Sequence, residues 1–330
     1  MAVIKPRILF FNPVRHAHAK LQELAAVAQT EVISSTSRAE FFKDVKDKYK
    51  DITAIYSTSS SYAVTGKFDS ELIRMLPPSL KFICHNGAGY DAIDIDACTA
   101  RGITVTNAPD PVTNATADLT IFLLLGALRQ LNPALGVLRR GLFKQGVDFG
   151  HDPQGKTLGI LGMGRIGRAV KRRAEPFGMN VIYHNRNALS ESDAAGAPYV
   201  GFHELLSRSD IISVHVPLNA KTRHLISAKE IEKMKDGVVV VNTARGAIID
   251  EAAMAAALKS GKIASVGLDV YEHEPQINES LIENDRALLV PHLGTHTTET
   301  LASMESLAME NARRGCFGEP LLTVVAEQKK

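Results

Sequence analysis

Short runs rich in Ile, Val, Phe and Tyr alternate with longer stretches in which apolar residues recur at helical spacing. In the first third of the chain the short runs are Ile8–Asn12, Glu31–Ser34, Ala54–Ser57, Lys81–Cys84 and Ile103–Thr106. Helical patterns such as Ala19–Ala28 and Asp69–Leu76 lie between them. This alternation predicts βαβ units and a mostly parallel sheet. Pro77–Pro78 stops the helix before the fourth strand.

After Asn107 the texture changes. A breaker-rich link, Asn107–Pro111, leads into a long apolar helix over Ala115–Arg129 and a second helix after Pro133 reaching about Arg140. A loop rich in Gly, Asp and Pro, Gly146–Gly155, follows, and a domain junction is expected in this region. A second α/β run then begins. Its strands are read at Thr157–Leu161, Asn180–His184, Ile211–Val216, Val238–Asn242, Ser265–Val270 and Ala287–Pro291, with a last helix over about Thr297–Arg314. Near-continuous Val, Ile and Leu suit strands covered by helices on both faces. No repeat relates the halves residue by residue.

The chain has 330 residues, 45% hydrophobic and 22% charged, with a formal net charge of +2. These values suit two globular domains and argue against disorder or a disulfide scaffold. The balanced charge gives no reason to expect a nucleic-acid partner. The basic run Lys171–Arg173 sits in an amphipathic segment and reads as a solvated helix face. Cys84, Cys98 and Cys316 are odd in number and far apart, so neither a metal site nor a redox pair is suggested. The N-terminus is not leader-like, and the most apolar stretch, Leu119–Leu128, is too short for a membrane span. A cytoplasmic location is expected.

Gly162-Met163-Gly164-Arg165-Ile166-Gly167 fits G-x-G-x-x-G, directly after a strand and at the start of a helix. In that setting the glycines serve the tight turn, the backbone approach to a pyrophosphate and the helix–strand contact. Free N–H groups at the helix start would face the phosphates. Sites for NAD usually end the second strand with an acid for the ribose hydroxyl. Here that strand ends Tyr183-His184-Asn185-Arg186. A 2′-phosphate repels a carboxylate and pairs with a guanidinium, so the cofactor reads as NADP, with NAD left open. The alternative is that Arg186 is a solvated loop residue.

Three strands of the second half are followed by chemistry-bearing residues: Thr243-Ala244-Arg245, Tyr271-Glu272-His273-Glu274 and Pro291-His292-Leu293-Gly294. Open α/β sheets bind ligands at these strand ends. Reducing a 2-oxo acid needs a hydride, a proton donor at the carbonyl oxygen and a cation for the carboxylate. His292 suits the proton transfer, Glu274 would favour its protonated ring, and Arg245 would grip the carboxylate and polarise the carbonyl. Singly, each has an ordinary structural alternative. Together, behind a dinucleotide turn, they point to catalysis.

At this point the sequence resembles the D-2-hydroxyacid dehydrogenases. The matching segments are Lys81–Asp94 with Gly87-Ala88-Gly89, Gly162–Gly167, His215–Ile226, Val241–Gly246, Gly267–Pro275 and Pro291–Gly294, collinear over most of the chain. The resemblance implies a two-domain α/β fold with a doubly wound parallel sheet binding the dinucleotide. It implies a flavodoxin-like, discontinuous substrate domain over 1–108 plus 296–330, clasping an NADP-binding Rossmann domain over 109–295. It further implies Arg245, Glu274 and His292 as the catalytic trio and Asp269 as a contact to the nicotinamide amide. Gly87, Ala88 and Gly89 would bind the substrate carboxylate. Thr116, Gly162, Met163, Gly164, Arg165, Ile166, His184, Asn185, Arg186, Val216, Pro217, Thr222, Thr243, Ala244 and Gly294 would line the cofactor. A homodimer whose domains close on cofactor and substrate is implied as well.

Within the family, the Tyr183–Arg186 and Gly294–Thr297 stretches are similar to NADP-dependent glyoxylate/hydroxypyruvate reductases. Glu272–Gln276 is similar to fungal members, D-mandelate dehydrogenases among them. The chain departs from the common pattern at Thr295-His296 and, lacking Trp, at Phe143. The expected activity is therefore NADPH-dependent reduction of small 2-oxo acids. Bulkier branched or aryl substrates are the alternative, and a dinucleotide-sensing corepressor is a remote one.

Overall fold

The protein is described from a computed structural model covering residues 5–329. Lys330 and the first four residues, the start of the segment read as not leader-like, lie outside the described residues. The strands are β1 (Arg7–Phe10), β2 (Gln29–Val32), β3 (Ala54–Ser57), β4 (Phe82–His85), β5 (Thr104–Thr106), β6 (Thr157–Leu161), β7 (Asn180–His184), β8 (Ile211–Val214), β9 (Val238–Asn242), β10 (Ile263–Leu268) and β11 (Ala287–Leu289). One sheet has the order β2-β1-β3-β4-β5 and the other β11-β10-β9-β8-β6-β7, and every strand pair within them is parallel. Both sheets share one winding. The first strand of each lies between the second and the third, so the order reverses between β1 and β3 and between β6 and β8. Ligands bind at such switch points, outside the carboxyl ends of the strands.

The chain divides into two compact units: residues up to Val112 joined by those from Thr297 onward, and Thr113–His296. The expected limits were a few residues away, at 108/109 and 295/296. Alternating strand residues face opposite sides. In the first unit Leu9, Ile55, Ile83 and Val105 pack on one face, and Ile8, Phe10, Ala54, Tyr56 and Cys84 on the other. The helix Thr298–Cys316 covers the second face with Ala308, Met309 and Ala312. In the second unit Leu161, Ile182, Val214 and Val240 face one core, and Leu158, Ile160, Ile211 and Val239 the other. The helix Val112–Leu128 belongs to the latter core through Leu123, Leu124 and Leu128. Among the described residues no single helix is long and apolar enough to cross a membrane.

The returning segment is fixed to the first unit by specific contacts. The Glu305 carboxylate accepts the N–H groups of Arg15, His16 and Ala17 at the entry to the helix His18–Val27. Val324 bridges Thr106 antiparallel to β5, and Gln328 Oε1 accepts the Val105 N–H at 2.7 Å.

Three expectations need correction. The second apolar helix starts before Pro133, at Leu131, which places the proline in the first turn, where a missing N–H costs nothing. The β10 strand lies earlier than the apolar run suggests, because Asp269 and Val270 already belong to the loop beyond it. Lys171 is not on a solvated face. It is 4% exposed, and its ammonium donates to Glu175 at 2.6 Å and to the Ala195 carbonyl at 2.8 Å.

Candidate active site

The glycine-rich turn leaves β6 and opens the helix Arg165–Ala174. Gly162 has φ +103°, and a Cβ there would lie 2.7 Å from the His215 carbonyl carbon and 2.8 Å from Val216 N. The turn is thus pressed against the chain leaving β8, at the switch point. A Cβ on Gly167 would meet the Gly162 oxygen at 2.4 Å, so the helix rides directly on the turn. Nothing lies within 4 Å of a Cβ built on Gly164. One glycine bends, one packs and one leaves the space above the helix start open, which fits a bound pyrophosphate. Met163 is fully buried, while its N–H donates to Asn185 Oδ1 at 2.7 Å.

That bond ties the turn to the end of β7. The His184 ring stacks on Tyr199, 5.8 Å between centroids, and its Nδ1 is bonded to the Val200 carbonyl at 2.9 Å. His184 therefore builds the wall rather than projecting from it. The Tyr199 hydroxyl donates to the Asn185 carbonyl. Arg186 is exposed and, among the described residues, makes no hydrogen bond or ion pair. Beyond β8, Val216 and Pro217 continue from the backbone that seats Gly162, and Thr222 Oγ1 donates to the Pro217 carbonyl at 2.6 Å. His215 closes this corner. Its Nε2 meets Ser213 Oγ at 2.7 Å, and burial pushes the imidazole pKa down to about 4, so the ring is neutral near pH 7.

The three reactive residues follow β9, β10 and β11. Asn242 shapes the first loop: its Nδ2 donates to the Arg245 carbonyl and its Oδ1 accepts the Ala244 N–H. The Arg245 guanidinium also donates to the Ala244 carbonyl at 2.7 Å. A Cβ on Gly246 would lie 1.9 Å from the Tyr271 carbonyl carbon and 2.3 Å from Glu272 N, so only glycine lets these loops meet. Glu274 sits on a tight turn from His273 to Gln276. Its Oε1 accepts the Tyr271 N–H at 2.9 Å, and its Oε2 is 2.9 Å from His292 Nδ1. Burial alone would raise the Glu274 carboxyl pKa. The His292 hydrogen bond and charge, the Tyr271 N–H and the Arg245 charge outweigh it and hold it below the usual carboxylate range.

His292 adopts φ +54°, and its N–H donates to the Asp269 carbonyl at 2.9 Å. The Asp269 carboxylate accepts the next two N–H groups, from Leu293 and Gly294. At 1% exposure, Asp269 holds the histidine loop in place. Burial lifts its carboxyl pKa against the pull of those donors and of His292. Thr116 and Thr243 are likewise buried structural links. Thr116 Oγ1 donates to the Gly294 carbonyl, and Thr243 Oγ1 shares a hydrogen bond with Thr120 at 2.9 Å.

In the first unit Gly87-Ala88-Gly89 leaves β4 over the His85 ring, and a Cβ on Gly87 would come 2.6 Å from His85 Nε2. The Gly87 and Ala88 carbonyls accept from Ala108 N and Asn107 Nδ2. Among the described residues, the Ala88 and Gly89 N–H groups donate to no protein acceptor, which suits an anion.

Sequence reasoning missed Glu251, Thr120, Tyr271 and His215. Glu251 follows an N-cap aspartate and reads as an ordinary first-turn acid. Its true partners, two backbone N–H groups, leave no trace in residue types.

A glycine turn at a switch point, with an imidazole–carboxylate pair and a guanidinium at neighbouring strand ends, defines a nicotinamide-dependent oxidoreductase. Residues 121–294 match the family described as D-isomer specific 2-hydroxyacid dehydrogenase, NAD binding domain. The chain is 49% identical over 325 residues to 4-methyl-2-oxopentanoate reductase A of Aspergillus oryzae, covering 98% of this chain and 99% of the relative. A glyoxylate reductase crystal structure from Paecilomyes thermophila is similar at TM-score 0.96 and 52% identity, covering 98% of this chain and 99% of that one. The NADPH-dependent glyoxylate/hydroxypyruvate reductase of Sinorhizobium meliloti, in complex with NADP and malonate, is similar at TM-score 0.85 and 33% identity, with 98% and 97% covered. The chain belongs to the D-isomer specific 2-hydroxyacid dehydrogenase family, and it is an enzyme of 2-oxo and 2-hydroxy acids using a nicotinamide dinucleotide.

Proposed function

We propose that this enzyme reduces small 2-oxo acids, glyoxylate and hydroxypyruvate first, to D-2-hydroxy acids with NADPH. The observation that carries the chemistry is the 2.9 Å contact between His292 Nδ1 and Glu274 Oε2, which leaves Nε2 as the proton-bearing atom. Arg245 pairs with the substrate carboxylate and polarises the carbonyl. Reduced nicotinamide, when bound, supplies the hydride. His292 Nε2 gives its proton to the new alkoxide, and the ionised Glu274 stabilises the imidazolium that makes this transfer possible. In the oxidative direction the same nitrogen takes the proton back.

The NADPH preference rests on Arg186, an unengaged guanidinium two residues beyond β7 where an acid would serve NAD. The complex of the Sinorhizobium meliloti relative with NADP supports the same reading. A second reading, bulkier branched substrates, is favoured by the full-length similarity to a 4-methyl-2-oxopentanoate reductase. One assay separates these. Glyoxylate, hydroxypyruvate, 4-methyl-2-oxopentanoate and benzoylformate are each reduced with NADPH and with NADH, in the native enzyme and in Arg186→Asp. The proposal expects the highest kcat/KM with the small acids and NADPH, and a lost or reversed cofactor preference in the variant. Equal efficiency with both cofactors would overturn the first claim, and a maximum at the branched or aryl acids the second. His292→Ala is expected to lower kcat by about 10²–10⁴, and unchanged turnover would remove the acid–base assignment.

The homodimer is supported by an exposed apolar stretch: Phe122, Leu135, Leu138, Leu142, Phe143 and Phe149 lie within one short segment, Phe143 at 72% and Phe149 at 100% exposure. Leu138→Glu combined with Phe143→Glu is expected to halve the sedimenting mass, and an unaltered mass speaks against this interface.

A further inference from the structure

The Glu251 carboxylate stands under the loop that presents Glu274, and the acid–base chemistry uses neither of its oxygens. It is 8% exposed, at the first position of the helix Glu251–Ser260. Its Oε2 accepts the Glu272 N–H at 2.8 Å and its Oε1 the Asn278 N–H at 3.1 Å. Those two groups stand at either end of the projecting turn, which the Gln276 N–H closes on the His273 carbonyl at 2.9 Å. Among the described residues no other side chain bridges both ends. Glu274 is carried between them and meets His292 at its far side.

We propose that Glu251 is a positioning residue for the Glu274–His292 pair, a role that rests on the acid–base reading above. Two acceptor oxygens in one rigid plane fix the separation of residues 272 and 278, and with it where the Glu274 carboxylate stands. Glutamine keeps the size and position but turns an amide NH2 toward one of the two N–H groups, so one half of the clamp opens. Alanine opens both.

The test uses the full-length enzyme with NADPH and glyoxylate. A misplacement on the ångström scale costs up to about 100-fold in rate; Glu251→Gln is expected to lower kcat by about 10-fold and Glu251→Ala by more. The NADPH dissociation constant, read by fluorescence titration, is expected to stay within about 2-fold of native, since a residue that acts through Glu274 leaves the dinucleotide turn alone. The deciding measurement is a double-mutant cycle. In a Glu274→Gln background, Glu251→Gln is expected to cost about 2-fold or less, because the group it positions is already disabled. The same 10-fold loss in both backgrounds, or no loss in either, overturns the proposal. Where Glu251→Ala fails to fold, the glutamine cycle decides alone. The His292→Ala control keeps the two claims apart: unchanged turnover there sinks the acid–base reading, whereas a His292→Ala loss beside a neutral Glu251→Gln sinks only the clamp.

Discussion

At the residue scale the site is held by backbone contacts that tolerate one side chain each. Gly246 abuts the Tyr271–Glu272 peptide so closely that a methyl group would overlap it. Gly246→Ala is therefore expected to push the Arg245 and Glu274 loops apart and lower kcat by about 10²-fold, and a native-like rate would show the loops to be plastic. The Asp269 carboxylate satisfies two N–H groups beside a histidine at φ +54°, a conformation that costs about 1–2 kcal/mol without such support. Asp269→Asn replaces one acceptor with a donor, and a stability loss of about 1–3 kcal/mol is expected in denaturant titration. Arg245, Glu274 and His292 were legible in the sequence because each is a reactive type placed just after an apolar strand. Lys171 was misread because helical spacing does not reveal the Ala195 carbonyl that receives its ammonium.

At the element scale the helix Thr298–Cys316 carries much of the first unit's polar fixation. Besides Glu305, it holds Glu310, whose carboxylate meets Lys20 at 2.9 Å, Arg313 at 2.9 Å and Arg314 at 3.0 Å. The Arg313 hydrogen bond, then Lys20 and Arg314, outweigh burial and lower the Glu310 pKa to about 2. A lowered folded-state pKa adds stability above the unfolded value of about 4.3, and that stability is lost as pH falls through about 2. Glu310→Gln is accordingly expected to reduce the unfolding midpoint at pH 7 and to converge on the native protein only below about pH 2. A pH-independent difference would assign the effect to packing. The strands were legible as elements because both their faces are apolar. Their ends were not, since Asp269 leaves β10 to serve the histidine loop and no propensity encodes that task.

At the scale of the whole molecule, each unit has its own pair of cores, and the glycine-rich turn, Arg245, Glu274 and His292 all lie in Thr113–His296. Calorimetry of the intact chain is expected to resolve two transitions. A cofactor at 100 times its dissociation constant should stabilise one of them by about 2.7 kcal/mol. A single transition moving as a whole would mean that the units unfold together. The doubled winding was legible as alternating strands and helices, but the strand order was not, because it depends on which edge each crossover takes. The return of the C-terminal helix beneath β3 and β4 reaches back to how the protein is born. A ribosome completes the stretch bearing the glycine-rich turn while the earlier unit still lacks the helix that supplies Ala308, Met309 and Ala312 to one face of its sheet, so that face can close only after the intervening unit has been made.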